Sequence, residues 1–136
     1  MIKKGRDQLI KRELYLKTLR AYRNKPLIKV LTGLRRSGKS SLLILLKDEL
    51  LESGIQPEQI VLINFDNMDF FDLRSAKQLH QHLKSLMINQ SYMYILIDEV
   101  QECDGWEQVV NSLLSEGKSD LYITGSNSQM LSSELS

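Results

Sequence analysis

Residues 33–40 read Gly33-Leu34-Arg35-Arg36-Ser37-Gly38-Lys39-Ser40, which is the pattern G-x-x-x-x-G-K-S. An apolar, β-branched run (27–32) comes directly before it, and an apolar run at helical spacing (41–46) follows. This strand–loop–helix context is the one in which the pattern wraps around the phosphates of a nucleotide. The stretch therefore predicts an α/β protein with a nucleotide site where a strand passes into a helix.

The residue types in this loop suit phosphate chemistry. Gly33 and Gly38 permit backbone conformations that a Cβ forbids, so that successive N–H groups can face an anion. We expect a helix from near Lys39 to Ser53, ending at Gly54, with its positive dipole end at the phosphates. Lys39 would reach the β- and γ-phosphates, and the Ser40 hydroxyl would ligate Mg²⁺. The other loop residues assigned to nucleotide binding are Arg35, Arg36, Ser37 and Ser41.

A second motif follows the apolar run 92–97, which is typical of a strand buried on both faces. Asp98 and Glu99 come at its carboxyl end, where ligands of open α/β sheets bind. We expect Asp98 to hold the Mg²⁺ shell opposite Ser40, and Glu99 to orient or deprotonate the attacking water. The patterns D-x-x-G and N-K-x-D of GTPases are absent from the sequence, which favours ATP over GTP.

A third motif covers residues 120–128, which we predict to be a short strand followed by a polar turn. A polar residue after this strand would lie between the other two motifs and contact the γ-phosphate or its water. Asn127 is the first candidate for that role, with Thr124 and Ser126 behind it. A turn with a helix cap is the alternative, because Ser and Asn serve both purposes.

The segments 30–41, 95–101 with 105–107, and 123–128 together resemble a widespread group of uncharacterised bacterial and archaeal AAA+-type ATPases. The resemblance implies a three-layer αβα P-loop NTPase core with a parallel sheet in the strand order five-one-four-three-two. It also implies that strands one to four are present here, whereas strand five, a helical lid and a C-terminal domain belong to later sequence. On that basis we expect the strand at 27–32 to be an exposed edge that favours self-association. We also expect weak nucleotide binding and hydrolysis at background rate.

Charge divides the 136 residues into two parts. Residues 1–25 carry nine Lys/Arg against two Asp/Glu, and residues 26–136 carry nine against fifteen. We interpret 1–25 as a basic helix that packs by its apolar stripe on a partial ATPase core formed by 26–136. Contact with nucleic acid is an alternative use of the basic charge, and Arg12 or Tyr15 could flank the adenine.

Composition limits the compartment and the class of protein. The sequence has no run of about 18 apolar residues, and its opening lysines and arginine are followed by further charge, so we expect neither a membrane span nor a signal peptide. The single cysteine, Cys103, excludes an internal disulfide and fits a reducing cytoplasm. The expectation is a cytoplasmic ATPase using ATP/ADP and Mg²⁺ to drive or switch an unidentified partner. Two alternatives remain open: a nucleotide-dependent switch without significant turnover, and an ATPase component acting on nucleic acid.

Overall fold

The computed structural model describes residues 13–14, 16–31 and 36–125, and for 36–41 it describes the backbone alone. Several residues assigned above lie outside this part of the chain: Arg12, Tyr15, Gly33, Arg35, Ser126 and Asn127. The roles predicted for them stay predictions.

Four strands and four helices alternate along the described chain. The strands are β1 (Ile28–Leu31), β2 (Ile60–Asn64), β3 (Met93–Asp98) and β4 (Ser119–Thr124). The helices are α1 (described residues 13–14 and 16–22), α2 (Arg36–Glu52), α3 (Ala76–Met87) and α4 (Trp106–Glu116). Short 3₁₀ turns cover Pro57–Gln59, Met68–Leu73 and Val100–Glu102.

The strands form one parallel sheet in the order β1-β4-β3-β2. This confirms the predicted α/β class with a parallel sheet, and the order agrees with that expected for strands one to four. Every residue of β3 and β4 is buried, as expected for central strands covered on both faces. In the described part of the chain β1 and β2 are the edge strands.

Helices cover both faces of the sheet, which gives three layers. One apolar cluster joins α3 and α4 to the sheet through residues such as Leu83, Val110 and Ile95. The other joins α1 and α2 to the opposite face, and it contains Leu16 and Leu19 of α1. Each such buried leucine contributes about 1.5–3 kcal/mol of hydrophobic stabilisation. The apolar stripe of α1 therefore packs on the sheet, while the division of the chain into 1–25 and 26–136 stays a prediction.

Helix α2 begins at Arg36, earlier than the start near Lys39 that the sequence predicted. Part of the G-x-x-x-x-G-K-S stretch is therefore helical, and helix ends are the least certain feature of any sequence-based assignment. The other end is as predicted, because Gly54 has a left-handed φ of 103°. Gly54 N–H bonds to Leu51 O at 3.1 Å and Ile55 N–H to Leu50 O at 3.1 Å, which is the Schellman pattern.

Candidate functional site: the carboxyl edge of the sheet

The carboxyl ends of the parallel strands bring the predicted motifs to one edge of the sheet. Asp98 ends β3 and pairs in register with Asn64 of β2. Leu31 ends β1 and pairs in register with Thr124 of β4. The chain leaves β1 at this edge, directly before the G-x-x-x-x-G-K-S stretch. The edge thus holds the acidic pair and the point from which the phosphate-loop segment departs.

A threonine hydroxyl links the two acidic residues. Thr124 Oγ1 donates a hydrogen bond to Asp98 Oδ1 and accepts one from the Glu99 backbone N–H at 3.0 Å. All three residues are buried. One hydroxyl therefore uses its donor and an acceptor lone pair to fix the Asp98 carboxylate against the Glu99 backbone. From the sequence, Thr124 was a candidate behind Asn127 for contact with the γ-phosphate or its water, and the link to Asp98 and Glu99 was not predicted.

Glu99 has a strained backbone. Its φ of 57° and ψ of 52° lie in the left-handed region, which is unfavourable for a residue with a Cβ. Such strain costs about 1–3 kcal/mol and persists only where the surroundings enforce it. Here the Glu99 N–H donates a hydrogen bond to Thr124, and the 3₁₀ turn Val100–Glu102 begins at the next residue. Strain of this kind concentrates at functional sites.

The Glu99 side chain is also held. Gln101 Nε2 donates a hydrogen bond to Glu99 Oε2 at 2.6 Å, and the Glu99 side chain is almost fully buried. No role was predicted for Gln101 from the sequence, although it is the last residue of the segment 95–101 that carries the family resemblance. Arg74 holds the turn that carries Gln101. Its side chain donates hydrogen bonds to Glu102 at 3.1 Å and to the Phe65 carbonyl at 2.7 Å.

The phosphate-loop residues are placed only in part. The backbone of Arg36, Ser37, Gly38, Lys39, Ser40 and Ser41 lies in the first turns of α2. Unpaired N–H groups at the start of a helix can bind an anion, and the start of α2 follows the carboxyl end of β1. The side-chain roles of Lys39 and Ser40, like the contacts of Gly33 and Asn127, stay predictions.

The acidic residues fit a Mg²⁺ ion that shares its ligands with a nucleotide. Among the described residues no three His, Cys, Asp or Glu side chains cluster in a way that could hold a metal by themselves. Mg²⁺ bound with a nucleotide uses one or two carboxylates together with phosphates and water, and does not need such a cage. Asp98, with its carboxylate oriented at the sheet edge, suits that chemistry.

A second polar cluster lies at the opposite, amino end of the strands, and the sequence did not predict it. Lys29 Nζ lies 2.5 Å from Asp120 Oδ1, and Asp120 Oδ2 accepts from Tyr122 OH at 2.7 Å and from the Asn24 N–H at 3.0 Å. Tyr94 OH donates to Asn24 Oδ1 at 2.9 Å. Burial, followed by the charge of Asp120, raises the pKa of Tyr122 far above its ordinary range, so its hydroxyl stays a donor. The only sequence signals were a lysine and an aspartate inside apolar runs.

Comparison with known proteins identifies the class. A family model described as "AAA domain" matches residues 25–136, and the chain belongs to this family. The chain is 40% identical over 128 residues to an uncharacterized protein of Haemophilus influenzae, covering 93% of this chain and 32% of that relative. It is 29% identical over 113 residues to an uncharacterized protein of Methanocaldococcus jannaschii, covering 79% of this chain and 23% of the relative. The chain thus spans a third or less of the length of these relatives, and no solved structure matches it.

Membership of this family supports nucleotide binding of the ATPase type. In the described part of the chain no helix is long and apolar enough to cross a membrane.

Proposed function

We propose that this chain binds ATP with Mg²⁺ at the carboxyl edge of its sheet and forms the hydrolytic core of an AAA-family ATPase. The observation that carries the proposal is the buried pair Asp98–Glu99, held by Thr124 at the edge from which β1 leads into G-x-x-x-x-G-K-S. Membership of the AAA domain family supports it.

Each residue has a distinct role in this proposal. The backbone of 33–41 surrounds the phosphates, and Lys39 neutralises their charge. Ser40 and Asp98 ligate Mg²⁺, which withdraws charge from the phosphoryl oxygens. Glu99 orients the attacking water and accepts its proton. Asn127 contacts the γ-phosphate or that water.

Calorimetry of ATP and ADP binding with Mg²⁺ tests the binding part. Lys39→Ala should weaken nucleotide affinity by at least about tenfold, since charge-assisted hydrogen bonds contribute about 1.5–3 kcal/mol. Lys47→Ala is the matched control, because Lys47 is a partly buried lysine two turns further along α2. Equal nucleotide affinity of the Lys39 variant and the wild type would remove the phosphate-loop assignment.

Two arginines of the basic segment 1–25 bond to other parts of the described chain. Arg20 Nε donates to Glu49 of α2, and Arg23, directly after α1, donates from Nη2 to Ser53 Oγ, directly after α2, at 2.9 Å. These contacts support a structural role for α1 against α2 and do not favour the nucleic-acid alternative. The other alternative, a nucleotide-dependent switch, differs from the ATPase only in turnover, so measurement of phosphate release decides between them.

We also propose that the chain self-associates through the side of β1 that faces away from β4. Strand β1 pairs with β4 on one side, and within the described residues no strand pairs with its other side. Unpaired N–H and C=O groups of such an edge can bond to a strand of a second chain. Light scattering over a concentration series tests this. A mass that stays monomeric at about 100 μM, where we expect exposed strand edges to associate, would contradict the proposal.

A further inference from the structure

Gln101 and Glu99 are joined by a hydrogen bond whose direction is fixed by chemistry. The Gln101 side-chain nitrogen lies 2.6 Å from Glu99 Oε2. Exchanging the amide nitrogen and oxygen of Gln101 would place an oxygen acceptor against a carboxylate acceptor at this distance, which is repulsive. The amide therefore donates, and a charge-assisted bond of this length is stronger than one between neutral groups.

The rest of the Gln101 side chain has no comparable structural use. Gln101 Oε1 is buried, and it has no hydrogen-bond partner among the described residues. A buried amide with one satisfied end costs stability relative to an apolar side chain of the same shape. The position therefore carries an amide for a reason other than packing, and within the described part of the chain the contact that requires the amide is the one with Glu99.

Both ends of this hydrogen bond are held by the fold. The Glu99 backbone is fixed by Thr124, and the turn after it is closed by bonds from Glu102 N to Glu99 O at 3.1 Å and from Cys103 N to Val100 O at 3.0 Å. Val100 is fully buried, which anchors the turn in the core. With both backbones fixed, the Gln101 amide selects one orientation of the Glu99 carboxylate.

We propose that Gln101 is a positioning residue that holds the Glu99 carboxylate toward the attacking water. This inference rests on the proposed ATPase function. Misplacing a catalytic group by about 1 Å can reduce the rate by about a hundredfold. Gln101 touches neither nucleotide nor water in this proposal, and acts through Glu99 alone.

The test is Gln101→Met, which keeps the length and bulk of the side chain and removes the amide. In the full-length protein we expect kcat for ATP hydrolysis to fall about tenfold or more, as misplacement of a catalytic group does, while KM and ADP affinity stay unchanged. The thermal midpoint should change little, because the lost donor to the buried Glu99 Oε2 is offset by removal of the buried Gln101 oxygen that has no partner among the described residues. The matched control is Gln59→Met, since Gln59 Nε2 donates to the Tyr92 carbonyl at 3.2 Å near the other end of β3.

A second arm does not depend on turnover. In ¹⁵N-labelled protein the Gln101 side-chain amide should show one proton shifted downfield and slow to exchange, and Glu99→Ala should abolish both features. In kinetics, Gln101→Met should cause no further loss in a Glu99→Gln background, because the two residues act as one unit.

The outcomes separate the two proposals. Full-length wild-type protein that binds ATP but releases no phosphate contradicts the hydrolytic function, and the amide signal then still decides whether Gln101 holds Glu99. A Gln101 amide signal that Glu99→Ala leaves unchanged overturns the inference. So does a Gln101→Met variant with wild-type kcat, or one whose loss adds fully to that of Glu99→Gln.

Discussion

Lys29 and Asp120 form an ion pair in the interior of the protein, with 2.5 Å between Nζ and Oδ1 and side-chain exposures of 2% and 0%. Lys29 is the second residue of β1 and Asp120 is the second residue of β4, and these two strands lie side by side in the sheet. Lys29 Nζ also donates to the Lys25 carbonyl at 2.7 Å and lies 5.4 Å from the centre of the Tyr122 ring. The connection from α1 into β1 is thereby tied to the central strand.

Removing one partner of this pair should destabilise the fold strongly. Lys29→Met leaves Asp120 buried without its cation, and breaking a buried pair in this way costs about 3–5 kcal/mol. Lys84→Met is the control, because Lys84 bonds to Glu116 at 2.5 Å with 42% of its side chain exposed, and such surface pairs contribute about 0–1 kcal/mol. Urea unfolding measures the free energy of unfolding of both variants. Equal losses would show that the buried pair contributes no more than the surface pair.

Asn24 should tolerate glycine better than alanine. Its φ of 63° is left-handed, a conformation that Asn and Gly adopt readily and alanine does not. Asn24→Gly and Asn24→Ala both lose the bond from Tyr94 OH, but only the alanine variant adds backbone strain of about 1–2 kcal/mol. Tyr94→Phe isolates the hydrogen bond. An Asn24→Ala variant as stable as Asn24→Gly in urea would contradict the strain argument.

Thr124 should be needed for its hydroxyl. Thr124→Val keeps the shape but removes the acceptor that Thr124 offers to the buried Glu99 N–H and the hydrogen bond that it donates to Asp98 Oδ1, at a cost of about 1–3 kcal/mol. Thr124→Ser keeps the hydroxyl and should retain most of the stability and of the Mg²⁺ dependence of ATP binding. If the serine variant is as impaired as the valine variant, packing of the methyl group and not the hydroxyl link matters at this position.

Glu99→Gln should separate binding from turnover. The amide keeps the size of the side chain but cannot accept the proton of the attacking water. In the full-length protein we expect ATP affinity near that of the wild type with suppressed phosphate release, measured by calorimetry and a coupled phosphate assay. Phosphate release at the wild-type rate would show that Glu99 does not position the water.

Cys103 should make stability fall at high pH. Burial, followed by the charge of Asp104, raises the pKa of the Cys103 thiol above its ordinary value of 9.0 to about 11. The neutral thiol is therefore favoured in the folded state, and its contribution is fully present below pH 9.0 and lost as the pH rises toward about 11. Urea unfolding of the wild type and of Cys103→Ala over this range should show a steeper loss for the wild type. Parallel curves would mean that the thiol titrates alike in both states.

The strands and their direction were predictable because the signal is local. The apolar runs at 92–97 and 121–123 are typical of central parallel strands, and the strands that they form, β3 and β4, are buried along their whole length. Gly54 marked the end of α2 for a similar reason, since a left-handed cap depends on one residue. The placement of Asp98 at the carboxyl edge followed directly from its position at the end of such a run.

The contacts that organise the site and the core were decided only by tertiary structure. Lys29 and Asp120 are 91 residues apart, and Thr124 and Asp98 are 26 apart, so each pair meets only through the register of neighbouring strands. Even Gln101 and Glu99, two residues apart, meet only because Glu99 takes a left-handed backbone and the following turn is fixed in the core. The sequence determined which residues stand at the ends of the strands, since apolar periodicity is a local property. Packing and strand register determined which of their polar atoms bond to one another, because those bonds depend on positions that distant parts of the chain impose.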